Sequence, residues 1–160
     1  MEWMHVLVLG GVLSLFALRG AHARWKLRRV RDRFHKGSQA LTDDNPTEAE
    51  AIFRECVRLS PATSSLHRML GRSLAAQARF EDAAKAMETA AYLEPKNADA
   101  RLEHGLMLAH CGPGQEEATA TALRKALTLN PELRTVLREA GQLEAVRQHP
   151  AVAALLAEDI

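Results

Sequence analysis

The sequence predicts an all-α chain, a stack of helical hairpins, on three observations. Glycine recurs at a fixed interval: Gly37, Gly71 and Gly105 are each 34 residues apart. Aromatic residues make up only 4% of the 160 residues while alanine is abundant, and sheet cores favour β-branched and aromatic side chains. Apolar residues also recur at helical spacing, as in "LGRSLAAQARFEDAAKAMETAAYLEP" from Leu70 to Pro95.

Other positions keep the same beat. Pro61 and Pro95 are 34 apart and Pro131 follows 36 later; Ala49 with Ala83 and Phe53 with Met87 are also 34 apart. Cys56, Ala90 and Ala126 stay in step once two extra residues in the third unit are allowed for. A fixed period of this length denotes stacked supersecondary units. A glycine inside a helix costs about 1 kcal/mol relative to alanine, so its recurrence points to a packing requirement where two helices cross. The punctuation fits: Asn45-Pro46-Thr47-Glu48 offers an N-cap, a proline at the first helical position and an acid in the first turn. Each closing proline ends a second helix. "HCGPGQEE", His110 to Glu117, is the widened turn of the third unit; it lacks the Gly-Lys-Ser/Thr of a phosphate loop.

The period and its residue types resemble the tetratricopeptide repeat (TPR), whose unit carries Leu-Gly in a first helix, Ala and Phe in a second, and a closing Pro. The middle unit matches through Leu70, Gly71, Leu74, Ala83, Met87, Ala90 and Pro95, with His67 at the family's Trp site. The first keeps Gly37, Ala49, Phe53 and Pro61, with Lys36 at the leucine site. The third keeps Gly105, Leu108, Leu123, Ala126 and Pro131, with His104 there. The resemblance implies an α-solenoid of three units, about 30–63, 64–97 and 98–131. Residues 132–160 read as a C-terminal helical cap, with an apolar stripe at Leu133, Val136, Leu137, Ala140 and Leu143, then Val152, Leu155 and Leu156 after Pro150.

Ahead of the repeats, Trp3 to Leu18 has no charged residue; it holds Leu7, Leu9, Leu13, Phe16 and Leu18. From Trp3 to Trp25 a helix would span roughly 33 Å, near a bilayer core with an indole at each interface. Arg19 and Arg24 can snorkel to the headgroups. Basic residues crowd the stretch from Arg19 to Lys36 against one acid, Asp32. Residues 3–25 therefore read as a signal-anchor transmembrane helix. The positive-inside rule places the N-terminus outside and the repeats in the cytoplasm. A cleaved signal peptide, ending at Ala21-His22-Ala23, is the alternative, although its charge would precede the apolar run.

In the TPR family the first helices line a concave groove that binds partner peptides or helices. The resemblance puts Arg31, Phe34, His35, Ser38 and Leu41 of the first unit there. The second adds Arg68, Met69, Arg72 and Ala76, and the third adds Asp99, Leu102, Glu103, Leu106 and His110. Arg68 and Arg72, one helical turn apart, suit a carboxylate-bearing partner; the competing reading pairs them with Glu103 or Asp99. Some members clamp chaperone C-termini with lysines and asparagines. Here Ser38 and Met69 fill the asparagine sites and Glu103 replaces a base, so the resemblance implies no such clamp.

Net charge is +1, which argues against a nucleic-acid binder driven by global charge. Cys56 and Cys111 form no CxxC pair, and His104 and His110 are six apart, the wrong spacing to share a metal on one helical face. The sequence thus predicts no cofactor, no metal and no catalytic constellation. It points to a membrane-anchored, single-pass adaptor for protein partners, in a bacterial inner membrane on its Arg- and Ala-rich composition. The alternative is an exported structural module that self-associates into a homo-oligomer or envelope complex.

Overall fold

The computed structural model describes residues 24–139 and 148–157. The anchor residues Trp3, Leu7, Leu9, Leu13, Phe16, Leu18 and Arg19 lie outside the described residues, as do Ala140 and Leu143 of the C-terminal stripe. Among the described residues, no helix is long and apolar enough to cross a membrane.

Three hairpins follow one another. Helix α1 covers residues 24–42 and pairs with α2 (Pro46–Leu59); α3 (Ser64–Ala75) pairs with α4 (Phe80–Leu93); α5 (Ala98–His110) pairs with α6 (Glu116–Leu129). Helices α7 (Leu133–Glu139) and α8 (Pro150–Ala157) close the stack. The sequence frames the first unit from about residue 30; α1 is already helical at residue 24, ahead of that frame.

Local chemistry sets the boundaries. The Asn45 side chain accepts the Glu48 N–H at 3.3 Å and donates to the Glu48 carboxylate at 2.8 Å, with Pro46 opening α2. Asn97 accepts from the Ala100 N–H at 3.0 Å and starts α5. The second helices stop alike: the N–H groups of Ser60, Glu94 and Asn130 donate to the carbonyls of Cys56, Ala90 and Ala126, and a proline follows each. A hidden periodicity sits in the turn inside each hairpin. Asp44 (φ 56°), Ala78 (φ 58°) and Gly112 (φ 89°) all take the left-handed conformation, again 34 residues apart.

The crossing inside each hairpin is a side chain laid on bare backbone. A Cβ at Gly37 would lie 2.7 Å from Phe53 Cζ, one at Gly71 2.8 Å from Met87 Cε, and one at Gly105 2.6 Å from Leu123 Cδ2. What fills the space is thus a side chain of the second helix, the packing requirement that the recurring glycine points to. Ala49 and Ala83 are fully buried beside these contacts, and the equivalent residue of the third unit is Thr119. Its Oγ1 is buried without a hydrogen-bond partner.

Neighbouring hairpins share side chains. Met69 and Leu70 of the second pack on the cluster of Ala40, Ala49 and Phe53 in the first, and Met107 of the third packs on Leu74, Ala83 and Ala86 in the second. The last cluster joins Leu102, Leu123 and Leu127 to Leu133 and Leu137 of α7 and to Val152 and Leu155 of α8. Arg134 and Arg138 donate to the Leu155 and Leu156 carbonyls at 3.1 and 2.9 Å, near the end of α8 where such carbonyls lack helical partners. Val136, expected in the apolar stripe, is 47% exposed. Helix α7 is two turns long and covers only its i, i+4 pair, Leu133 and Leu137.

Two stability predictions follow from this packing. Alanine for a helical glycine gains about 1 kcal/mol of propensity, while overpacking costs about 1–3 kcal/mol. Both opposing side chains are buried, but the Phe53 ring is a rigid body, whereas Met87 meets Gly71 through Cε, Cγ and Sδ of a flexible chain. Urea denaturation should show Gly37→Ala destabilising, Gly71→Ala close to neutral, and Gly71→Leu costing about 1–3 kcal/mol. Thr119→Val keeps the shape and removes the orphaned hydroxyl; it should stabilise by about 1 kcal/mol.

Candidate protein-interaction surface

The first helices α1, α3 and α5 supply the face on which the sequence placed its groove. At its centre, Arg68 of α3 donates from Nε and Nη2 to both carboxylate oxygens of Glu103 on α5, at 2.9 and 2.8 Å. Arg72, one turn on, donates to the same carboxylate. Burial pushes the Glu103 carboxyl up, but hydrogen bonds from Arg68 and Arg72 outweigh it and hold the group below its ordinary value. The Glu103 bond raises the Arg68 guanidinium in turn. The two arginines are therefore not an open carboxylate receptor: they join the second hairpin to the third. Arg72 keeps half its side chain in solvent, whereas Arg68 is mostly covered.

The other groove candidates divide. Arg31, His35 and Asp99 are exposed, and Ser38 is half-buried. Phe34 stands edge-on to Phe53 with centroids 5.8 Å apart and packs into the first core cluster with Met69 and Leu41. Leu106 is half-buried against the last cluster, and Leu102 is one of that cluster's buried members, so it presents no surface. His110 stacks on Phe80 of α4 with centroids 4.6 Å apart and planes 15° off parallel. The residues left open to a partner are mainly polar and carry both signs of charge.

Two further ion networks were not legible in the sequence. Glu50 of α2, only 9% exposed, accepts from Gln77 Nε2 at 2.8 Å, from Arg79 Nη1 at 2.9 Å and from Arg54 Nε at 2.8 Å. Burial raises this carboxyl and the hydrogen bonds from Gln77, Arg54 and Arg79 lower it further, so it too lies below its ordinary value. Glu55 takes Arg29 at 3.1 Å, and also Arg33, tying α1 to α2. The basic run is thereby sorted: Arg29 and Arg33 are tied to Glu55, while Arg24 and Arg28 have no ion-pair partner among the described residues. Trp25 is half-exposed, with the Arg29 guanidinium 5.2 Å from its ring centroid.

On the opposite flank a cavity of about 680 Å³ lies between α4, α5 and α6 over His104, whose imidazole is lowered by burial. Burial likewise raises the Cys56 thiol, the Cys111 Sγ donates to the Met107 carbonyl at 3.2 Å, and both cysteines are free. Among the described residues no three His, Cys, Asp or Glu side chains gather to hold a metal ion.

No family model matches the chain, and no curated protein is similar to it in sequence. Solved structures are similar in fold. The first TPR of Spaghetti (RPAP3) bound to the HSP90 peptide SRMEEVD aligns with TM-score 0.64 and 15% identity, over 82% of this chain and 95% of that one. The Arabidopsis OM64 TPR domain gives 0.63 and 18%, over 82% and 96%. The Yersinia enterocolitica type III secretion chaperone SycD, in complex with a peptide of the translocator YopD, gives 0.62 and 17%, over 73% and 91%. The described helices thus form a TPR-type superhelix.

The two buried carboxylates set an acid limit to stability. Each has a folded pKa below its ordinary value of 4.5, so the unfolded chain takes up the proton first as pH falls. Their contribution is full above about pH 4.5 and is lost as pH drops below it, through the folded values. Denaturation between pH 6 and 3 should show this decline. Glu103→Gln should cost about 1–3 kcal/mol near pH 7 and flatten part of the acid limb.

Proposed function

We propose that this protein is a membrane-tethered, non-enzymatic adaptor that binds an extended or helical segment of a partner protein on the face built by α1, α3 and α5. The observation that carries the reading is the superhelix itself, which presents successive first helices side by side. Structures of this fold include RPAP3 with an HSP90 peptide and SycD with a translocator peptide. Glu103 fills with a carboxylate, already satisfied by Arg68 and Arg72, a place where a carboxylate clamp would need a base. The partner segment accordingly differs from a chaperone C-terminus. It meets a mixed surface of Arg31, His35, Arg72 and Asp99, with Phe34, Met69 and Leu106 beneath.

Tethering rests on the sequence from Trp3 to Leu18 and its basic flank. In this reading the N-terminus is outside and the repeats are cytoplasmic, at a bacterial inner membrane. Helix α1 is continuous from residue 24, so little linker separates anchor from repeats and the face works close to the bilayer. No cofactor takes part.

Two measurements test the two halves separately. Leu9→Arg/Leu13→Arg should move the protein from the membrane pellet to the soluble fraction; continued sedimentation with membranes overturns the anchor. In-cell crosslinking should capture a partner that the Arg72→Ala/Asp99→Ala variant loses while its circular dichroism is unchanged. Equal capture by both overturns the groove.

A further inference from the structure

Helix α1 is already helical at residue 24, six residues ahead of the position equivalent to the start of α3. Those residues add about 9 Å of helix, and among the described residues no earlier hairpin covers them. The side chains here sort by helical phase. Arg29 and Arg33 turn to Glu55 on α2, whereas Arg24, Leu27, Arg28 and Arg31 turn towards the start of α3. Between them lies a notch of about 540 Å³, within the roughly 300–1,000 Å³ of pockets that enclose small ligands. Val30, Phe34 and Leu66 lie at its base, and Leu27 stands at its lip, 73% exposed.

We propose that this notch is the anchoring subsite for the partner, and that it takes an acidic segment carrying one bulky aliphatic or aromatic side chain. The inference rests on the adaptor reading and names the chemistry of its partner. Charge complementarity carries it. Arg24 and Arg28 have no ion-pair partner among the described residues, Arg31 has only the exposed Asp32 at 3.5 Å, and no carboxylate lines the notch. The start of α3 adds to the positive field: it has no acid in its first turn, and the Thr63 side chain does not cap it. The floor decides between a peptide and a bilayer. Val30 and Phe34 are only part-buried there, so apolar surface inside the notch remains to be covered; a flat headgroup layer meets the guanidinium rim and Leu27 but does not reach it. A single protruding side chain reaches the floor while flanking carboxylates meet the arginines.

The test is selection of a displayed random twelve-residue peptide library on the full chain in detergent micelles, followed by fluorescence anisotropy with a selected peptide. Recovered peptides should carry Asp or Glu within three residues of a Leu, Ile or Phe. Leu27→Asp and Arg24→Glu/Arg28→Glu, both surface changes, should each weaken binding tenfold or more. Tyr92→Ala, exposed on α4, should leave it unchanged, and added salt should weaken it. Peptides that tolerate Leu27→Asp but are lost with Arg72→Ala overturn the notch and leave the adaptor standing. Failure to select any peptide counts against both. If Leu27→Asp instead dissolves a dimer, or alters attachment to phosphatidylglycerol bilayers while peptide binding persists, the notch belongs to a second copy or to lipid and the proposal is overturned.

Discussion

Each hairpin depends on one contact: a large side chain of the second helix lying against a stretch of first-helix backbone with no Cβ. Phe53 on Gly37, Met87 on Gly71 and Leu123 on Gly105 are chemically different pairs with one geometry. The glycine lowers helix propensity by about 1 kcal/mol, and burying the opposing side chain returns about 1.5–3 kcal/mol. Burial therefore wins. Because the contact repeats in each hairpin, the first helices come to lie side by side, and the face they make exists as a consequence of intra-hairpin packing.

Between hairpins the work shifts to charge. Glu50 brings Gln77 and Arg79, at the turn before α4, onto α2, and Glu103 brings two arginines of α3 onto α5. Charged hydrogen bonds are directional, so they fix the offset of one hairpin against the next more sharply than alanine-rich contacts can. The same bonds consume the cations that looked available in the linear chain. In the proposed reading, recognition is left to groups the stack does not use.

Much of the fold was legible because its signals are local. The glycine and proline beat, the Asn45 cap and the small residues at 49 and 83 can be read without knowing which helix meets which. For Arg68 the sequence left two readings open, a carboxylate-bearing partner or pairing with Glu103 or Asp99; Glu103 is 35 residues away, and the offset of the hairpins brings the two together. The resemblance put Leu102 and His110 on the groove helices, where packing between units was the stronger reading for Leu102; Leu102 does lie in the last core cluster, and His110 stacks on Phe80. The left-handed residues escaped notice for another reason. Asp44, Ala78 and Gly112 keep the 34-residue interval but share no side-chain chemistry; the backbone repeats where the residue type does not. The candidate surface was thus legible as to its helices and not as to which side chains remain free on it.

The turn between α5 and α6 shows how the period stretches without damage. Gly112 and Gly114 have φ of 89° and 94°, and a Cβ at either would meet nothing within 4 Å. The two extra residues of the third unit are spent here, outside the packed layers, and α6 still brings Leu123 onto Gly105. Chain length is therefore decoupled from stacking at this corner. A tag, a fluorophore-binding peptide or a whole inserted domain would leave the solenoid's register intact if grafted between these glycines, and new chain termini could be opened at the same point.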